Sequence, residues 1–176
     1  KKNTFEIPKD RAENLKKLKS SIINIKNCEL KKNGTNIVFS DGNPKAKIML
    51  IGEGPGQNED QEGLPFVGRA GALLDKMLAS INLDRKKVYI TNVVNYRPPK
   101  NRRPTDEEIN RYLPYLKKHI EIINPRILVL LGSTALNALI SNDKVISKAR
   151  GKWIEKQFGT CKTSVIVTFH PAFLMR

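Results

Sequence analysis

Lys47-Ile48-Met49-Leu50-Ile51 runs straight into Gly52-Glu53-Gly54-Pro55-Gly56, and this junction decides the fold. A short, nearly continuous apolar run marks a strand covered on both faces, and ligands of open parallel sheets gather where such strands end. Downstream the pattern alternates. Leu73, Leu74, Met77, Leu78 and Ile81 mark one helix face, and Val88–Val94 reads as a second strand. Thr105-Asp106-Glu107-Glu108 is a capping box opening a helix to about Asn124, with Pro114 a local distortion. Ile127–Leu131 is the third strand, and Ser133 caps a helix through Ile140. After a short basic connection around Trp153, Ser164–Phe169 is the fourth. Strands alternating with helices predict βαβ units, and therefore a three-layer α/β/α sandwich on a central four-stranded parallel sheet.

Upstream, Asp10 reads as the N-cap of a helix from about Lys9 to Ile23, with Leu15, Leu18 and Ile22 at helical spacing. Residues 1–176 read as one domain, with residues 1–27 as a helical segment packed on it. A loop-rich stretch follows, closed by the turn signal Asp41-Gly42-Asn43-Pro44.

The 176 residues carry 32 Lys+Arg against 17 Asp+Glu, a net charge of +15. No apolar run approaches the ~20 residues that span a bilayer, and Lys1-Lys2-Asn3 opens no signal-peptide core. Two cysteines, Cys28 and Cys161, supply neither a disulfide framework nor a four-thiolate metal site, which fits a reducing, cytoplasmic setting. The positive charge invites a polyanion. From Arg85 to Thr105 there are seven basic residues and no acidic one, on a stretch stiffened by Pro98, Pro99 and Pro104, which favours nucleic acid over a uniformly basic surface.

The unusual residues fall where the strands end. Glu53 and Gly54 follow the first strand, Asn92 ends the second, Gly132-Ser133 follow the third, and His170-Pro171-Ala172-Phe173-Leu174 the fourth. A carboxylate, an amide and an imidazole thus converge on one rim beside the basic loop. A dinucleotide-binding turn is disfavoured, because Gln57 stands where G-x-G-x-x-G needs glycine and a loop rather than a helix is expected next. A P-loop is excluded because no G-K-[ST] follows. His119, mid-helix after Lys117-Lys118, reads as solvent-exposed.

The block Gly52-Glu53-Gly54-Pro55-Gly56, Glu59-Asp60 and Gly63-Leu64-Pro65-Phe66-Val67-Gly68-Arg69-Ala70-Gly71, then Thr91-Asn92 and His170-Pro171, closely resembles the family 4 uracil-DNA glycosylases. The resemblance covers about Cys28 to Arg176. It implies hydrolysis of the bond joining uracil to deoxyribose by an enzyme that flips the base out of DNA, with a monomer as the default. On that reading Glu53 and His170 are catalytic, His170 stabilising charge on uracil O2 and Glu53 acting on water. Gly54, Glu59, Phe66 and Asn92 bind uracil: Phe66 as stacking platform, Asn92 reading N3–H and O4, Glu59 excluding the thymine methyl. Gly56, Arg69, Arg97, Arg102, Arg103 and Ser133 grip DNA, and Leu174 is a wedge. Taken alone, Phe66 would read as core, and Leu174 nearly as readily as a core leucine.

The sequence departs from the family at its [4Fe–4S] ligands. Cys28 fits one slot, Ile25 stands three residues before it, Tyr96 and Tyr112 occupy the later slots, and Cys161 lies elsewhere. A cubane needs thiolates, so the expectation is no cofactor, with packing holding the Arg97–Arg103 loop. A uracil-DNA binding or trapping protein and a glycosylase for another deaminated base, such as hypoxanthine, are the competing functions.

Overall fold

The computed structural model describes residues 9–176. Lys1-Lys2-Asn3, on which the reading of no export signal rests, lie outside the described residues. One six-stranded sheet organises the described residues, built from β1 (Asp41–Gly42), β2 (Ile48–Gly52), β3 (Tyr89–Asn92), β4 (Ile127–Leu131), β5 (Ile154–Phe158) and β6 (Cys161–Thr168). The order is β1-β3-β2-β4-β6-β5. The inner four, β3-β2-β4-β6, are parallel, as the alternating pattern predicts, and β1 and β5 pair antiparallel at the two edges.

Among the described residues, eight α-helices connect and cover the strands: α1 (Lys9–Ile23), α2 (Glu29–Asn33), α3 (Gln57–Glu62), α4 (Arg69–Ser80), α5 (Asp106–Ile123), α6 (Ser133–Leu139), α7 (Ile146–Ala149) and α8 (Pro171–Leu174). Strand side chains alternate between two apolar layers. Met49, Ile51, Tyr89, Leu128 and Leu130 face the side holding Leu18 and Ile22 of α1, Leu116 and Ile120 of α5, and Leu136 of α6. Leu50, Val88, Ile90 and Leu131 face the other side, against Leu74 and Leu78 of α4. Each such buried leucine contributes about 1.5–3 kcal/mol, and α1 is tied in by packing along α5. Among the described residues no helix is long and apolar enough to cross a membrane.

Several expectations need correction. The connection around Trp153 contains β5, whose alternation of half-buried and exposed residues ends in buried Phe158. Strand β6 consequently starts at Cys161, earlier than Ser164. A helix, α3, does follow Gly56 directly, although Gln57–Glu62 is wholly polar. Asp10 lies inside the first turn of α1 rather than ahead of it. Gly132, not Ser133, is the N-cap of α6, because φ +100 there admits glycine at no cost. Ile81 is 64% exposed rather than on the buried face of α4.

His119 is the largest departure. It is 2% exposed, stacked on Phe39, and its Nε2 lies 2.7 Å from the Tyr89 hydroxyl. Burial pushes its pKa down to about 3, so the ring is neutral. Elsewhere Thr105 behaves as expected of a capping box, its Oγ1 accepting from the Glu108 N–H at 3.2 Å.

Candidate active site

The rim at the carboxyl ends of the parallel strands holds a cavity of about 730 Å³. Glu53 and Gly54 enter from behind β2, Ser133 and Thr134 from the first turn of α6, and His170 from behind β6. Arg103 reaches in from the basic loop. Pairing between β2 and β3 continues past their last residues, with Val93 N–H donating to Gly52 O at 2.9 Å and Val94 N–H to Glu53 O at 3.2 Å. This fixes the two strand ends side by side, and with them Glu53 and Asn92.

Glu53 is oriented by a residue that sequence reading missed. Thr134 Oγ1 donates to Glu53 Oε2 at 2.5 Å, and the threonine itself is buried. Its place one residue after Ser133, behind a parallel strand, was the available signal. Gly132 leaves room for the imidazole opposite, since a Cβ there would lie 3.0 Å from His170 Cβ.

His170 is the N-cap of α8, with Pro171 at the first helical position, and its Nδ1 accepts from Ala172 N–H at 3.1 Å. An acceptor at Nδ1 places the proton of the neutral ring on Nε2, leaving that edge a donor. Burial pushes the His170 pKa below its ordinary 6.5, with the Glu53 charge raising it and Arg176 lowering it by smaller amounts.

Phe66 and Asn92 do not line the cavity; they lie deeper, 5% and 3% exposed. They converge on Gly52, where an added Cβ would fall 2.5 Å from Phe66 Cζ and 2.6 Å from Asn92 Oδ1. Phe66 is also near-parallel to His170, with ring centroids 5.4 Å apart. The Phe66 ring thus neighbours both Gly52 and the imidazole. Asn92 Oδ1 is buried with no hydrogen-bond partner among the described residues, an acceptor whose desolvation is uncompensated. Phe66 holds φ +54, a left-handed conformation that costs an L residue roughly 1–2 kcal/mol.

The remaining sequence-assigned residues spread around this centre. Glu59 is half-buried, its carboxylate oxygen 3.6 Å from where a Gly56 Cβ would sit and 3.7 Å from the same point on Gly68. Desolvation raises its pKa above the carboxylate norm. Gly54 packs tightly enough that a Cβ would meet Val94 Cγ2 at 2.8 Å. Gly56 caps α3, and Arg69 is the exposed first residue of α4. Arg97 Nε donates to Asn101 Oδ1 at 2.6 Å, and its carbonyl accepts from Asn33 Nδ2 at 2.8 Å. Arg102 is paired with Glu108 at 2.7 Å, whereas Arg103 faces the cavity. Leu174 is 50% exposed beside exposed Phe173 and Met175, which removes the core reading.

Ile25, Cys28, Tyr96 and Tyr112 all lie in the core on the α1–α5 side. Cys28 Sγ and the Tyr112 hydroxyl are 3.3 Å apart, and burial, followed by that thiol, raises the phenol's pKa. Tyr96 packs against Gly34, with Cδ1 3.1 Å from the position of an added Cβ. One thiol among four positions does not fit a [4Fe–4S] cluster, whose irons take cysteine ligands. Among the described residues no three His, Cys, Asp or Glu side chains are gathered to hold a metal ion.

A family profile described as the Uracil DNA glycosylase superfamily matches residues 39–176. The type-4 uracil-DNA glycosylase of Sulfurisphaera tokodaii is 45% identical over 165 residues, spanning 91% of this chain and 75% of that one. That of Thermotoga maritima is 48% identical over 150 residues, spanning 85% and 77%. That of Archaeoglobus fulgidus is 42% identical over 167 residues, spanning 93% and 84%. With the glycine turn, the strand-end asparagine and the His-Pro cap placed on one rim, the chain belongs to the uracil-DNA glycosylase superfamily, in its type-4 family.

Proposed function

We propose that this chain hydrolyses the N-glycosidic bond between uracil and deoxyribose in DNA, starting base-excision repair, through the residues gathered around Gly52, Phe66 and His170. The unpartnered, buried Oδ1 of Asn92 is the observation that carries the assignment. Uracil N3–H is a donor that would satisfy it, while the amide donates to O4; cytosine presents the opposite pattern. Its position against Gly52 and Phe66 holds the amide in a tight site.

The extruded base lies on Phe66 beside His170, whose Nε2–H donates to O2 as negative charge develops on the leaving group. A neutral imidazole does this without a proton to lose, which is what burial favours here. Glu53, held by Thr134, supplies the carboxylate that stabilises the cationic sugar and positions water on the cavity side. Gly54 lets the backbone approach the base, and Glu59 guards the C5 edge. Gly56, Ser133, Arg69, Arg97 and Arg103 meet phosphates, with Arg102 adding charge while bracing the loop through Glu108, and exposed Leu174 fills the gap left in the stack. The whole chain acts as one domain.

The Ile25, Cys28, Tyr96 and Tyr112 set supports an enzyme without an iron–sulfur cluster, its basic loop tethered by Asn33 and by Arg97 with Asn101. We read the protein as a monomer, and two buried free thiols suit a reducing cytoplasm. Incubation with uracil-, hypoxanthine- and thymine-containing oligonucleotides, followed by alkaline scission, tests the function. Scission of uracil strands with release of free uracil is expected, lost in Glu53→Gln. Tight binding without release would establish a trapping protein instead, and preferential scission at hypoxanthine would reassign the base.

A further inference from the structure

Phe66 keeps a strained backbone, and the side chain that binds its carbonyl lies outside the cavity. Arg85 reads from sequence as part of the basic stretch, yet its guanidinium is turned inward. Its Nη1 donates to Pro65 O at 2.8 Å and to Asp41 Oδ2 at 3.0 Å. Its Nε donates to Asp75 Oδ1 at 2.8 Å, and its Nη2 donates to Phe66 O. The fork is thereby anchored on α4 and β1 and spends its remaining donors on two consecutive carbonyls of the Phe66 turn. It faces a separate cleft shared with Gly68 and Asp75, away from Glu53 and His170.

Gly71 closes the other side. A Cβ there would fall 1.9 Å from Phe66 O, so helix α4 presses directly on the carbonyl that Arg85 holds. Rotating the Phe66 peptide to an ordinary negative φ would break the Nη2 contact and swing the ring off Gly52 and His170. A lysine, with one compact ammonium in place of a planar fork, could not serve both carbonyls and both carboxylates.

We infer that Arg85 is the positioning residue of the base platform: by clamping the Pro65 and Phe66 carbonyls it fixes the Phe66 ring against Asn92 and His170. The inference rests on Phe66 being the surface on which uracil stacks. It assigns to Arg85 an effect on the chemical step and none on phosphate contact.

Single-turnover cleavage of uracil-containing duplex by Arg85→Ala and Arg85→Lys tests it, alongside Phe66→Ala, DNA affinity across a salt series and thermal melting. A loss of about 10–100-fold in the cleavage rate is expected for Arg85→Ala, with Arg85→Lys intermediate. The salt dependence of DNA binding should stay at the wild-type slope, and millimolar guanidinium should restore part of the Arg85→Ala rate. A wild-type rate in Arg85→Ala while Phe66→Ala is crippled overturns the inference and leaves the platform intact. So does a lowered melting temperature without a rate change, or a salt slope reduced by about one phosphate contact. A wild-type rate in Phe66→Ala removes the platform itself. Should Arg85→Ala not fold, Arg85→Lys carries the same comparison.

Discussion

Gly52→Ala places one methyl group where the account says base recognition is built. Gly52 is not among the residues with positive φ, so alanine brings no backbone strain and the perturbation is purely steric. Its Cβ would sit 2.5 Å from Phe66 Cζ, 2.9 Å from Phe66 Cε2 and 2.6 Å from Asn92 Oδ1. Carbon atoms in packed interiors stand ~3.5–4.0 Å apart, so the ring must retreat by about 1 Å and the amide by somewhat less. Overpacking of this kind costs about 1–3 kcal/mol, or a fall in Tm of roughly 2–12 °C for a chain of this size. A misplacement near 1 Å at a reacting centre costs about 10²-fold in rate. Single-turnover cleavage of a uracil oligonucleotide, with Tm and DNA affinity measured on the same preparation, separates the two effects. A hundredfold slower reaction at unchanged affinity and modestly lowered Tm is expected. A wild-type rate accompanied by the same fall in Tm would refute the reasoning, because the displaced ring and amide would then have no part in recognition.

Three further outcomes follow from the same geometry. On the proposed mechanism His170 works neutral, and burial holds its pKa below 6.5, so activity should persist as pH drops through 6.5 and fail only below it; a limb centred at or above 6.5, or one unchanged in His170→Gln, contradicts this. His119 is held neutral with its pKa near 3. Stability is therefore full above pH 6.5, and between 6.5 and about 3 the unfolded chain takes up a proton that the folded chain refuses. The stability carried by this site falls by about 1.4 kcal/mol per pH unit across that window. Chemical denaturation of wild type and His119→Gln should converge as pH falls, and parallel curves would show that the ring does not titrate this way. Cys28 is the one thiol among the four ligand positions and lies 3.3 Å from the Tyr112 hydroxyl, so on the proposed reading protein purified without oxygen should lack iron–sulfur absorption and stoichiometric iron; a brown protein with four irons per chain reverses the reading.

Much of the fold was legible because β2 and β4 are nearly continuous apolar runs and the long helices α4 and α5 keep a regular stripe. The edges were not. In β5, Ile154-Glu155-Lys156-Gln157-Phe158 exposes alternate residues to solvent, and such a pattern reads as a charged connection. In α3 six polar residues carry no stripe at all, and a glycine cap with buried Asp60 supplies the order. Asp60 accepts from Thr35 N–H and Asn36 N–H, contacts invisible to local pattern because they join segments 24 and 25 residues apart. The signal for His119 was present: it falls seven residues after Tyr112, three after Leu116 and four before Ile123, on the buried stripe of α5. Its neighbours Lys117 and Lys118 masked that spacing.

At the site, the strand-end rule brought Glu53, Asn92 and His170 together, since a parallel sheet sends all its carboxyl ends to one rim. It could not give the interior contacts. Thr134 beneath Glu53, Gly52 between Phe66 and Asn92, and Arg85 behind the Phe66 turn are matters of tertiary placement. Arg85 was misleading for a physical reason: a guanidinium serves a phosphate and a pair of carbonyls equally well, and sequence does not say which it meets.

Asn92→Ala gives the most direct measurement, as the ratio of single-turnover rates on one uracil-containing strand. Removing the amide proposed to pair with N3–H and O4 should slow cleavage by at least about 10²-fold, with affinity for uracil-free DNA unaltered. Equal rates for the variant and the wild type would contradict the account at its centre, because the base would then be recognised elsewhere than at the amide beside Gly52.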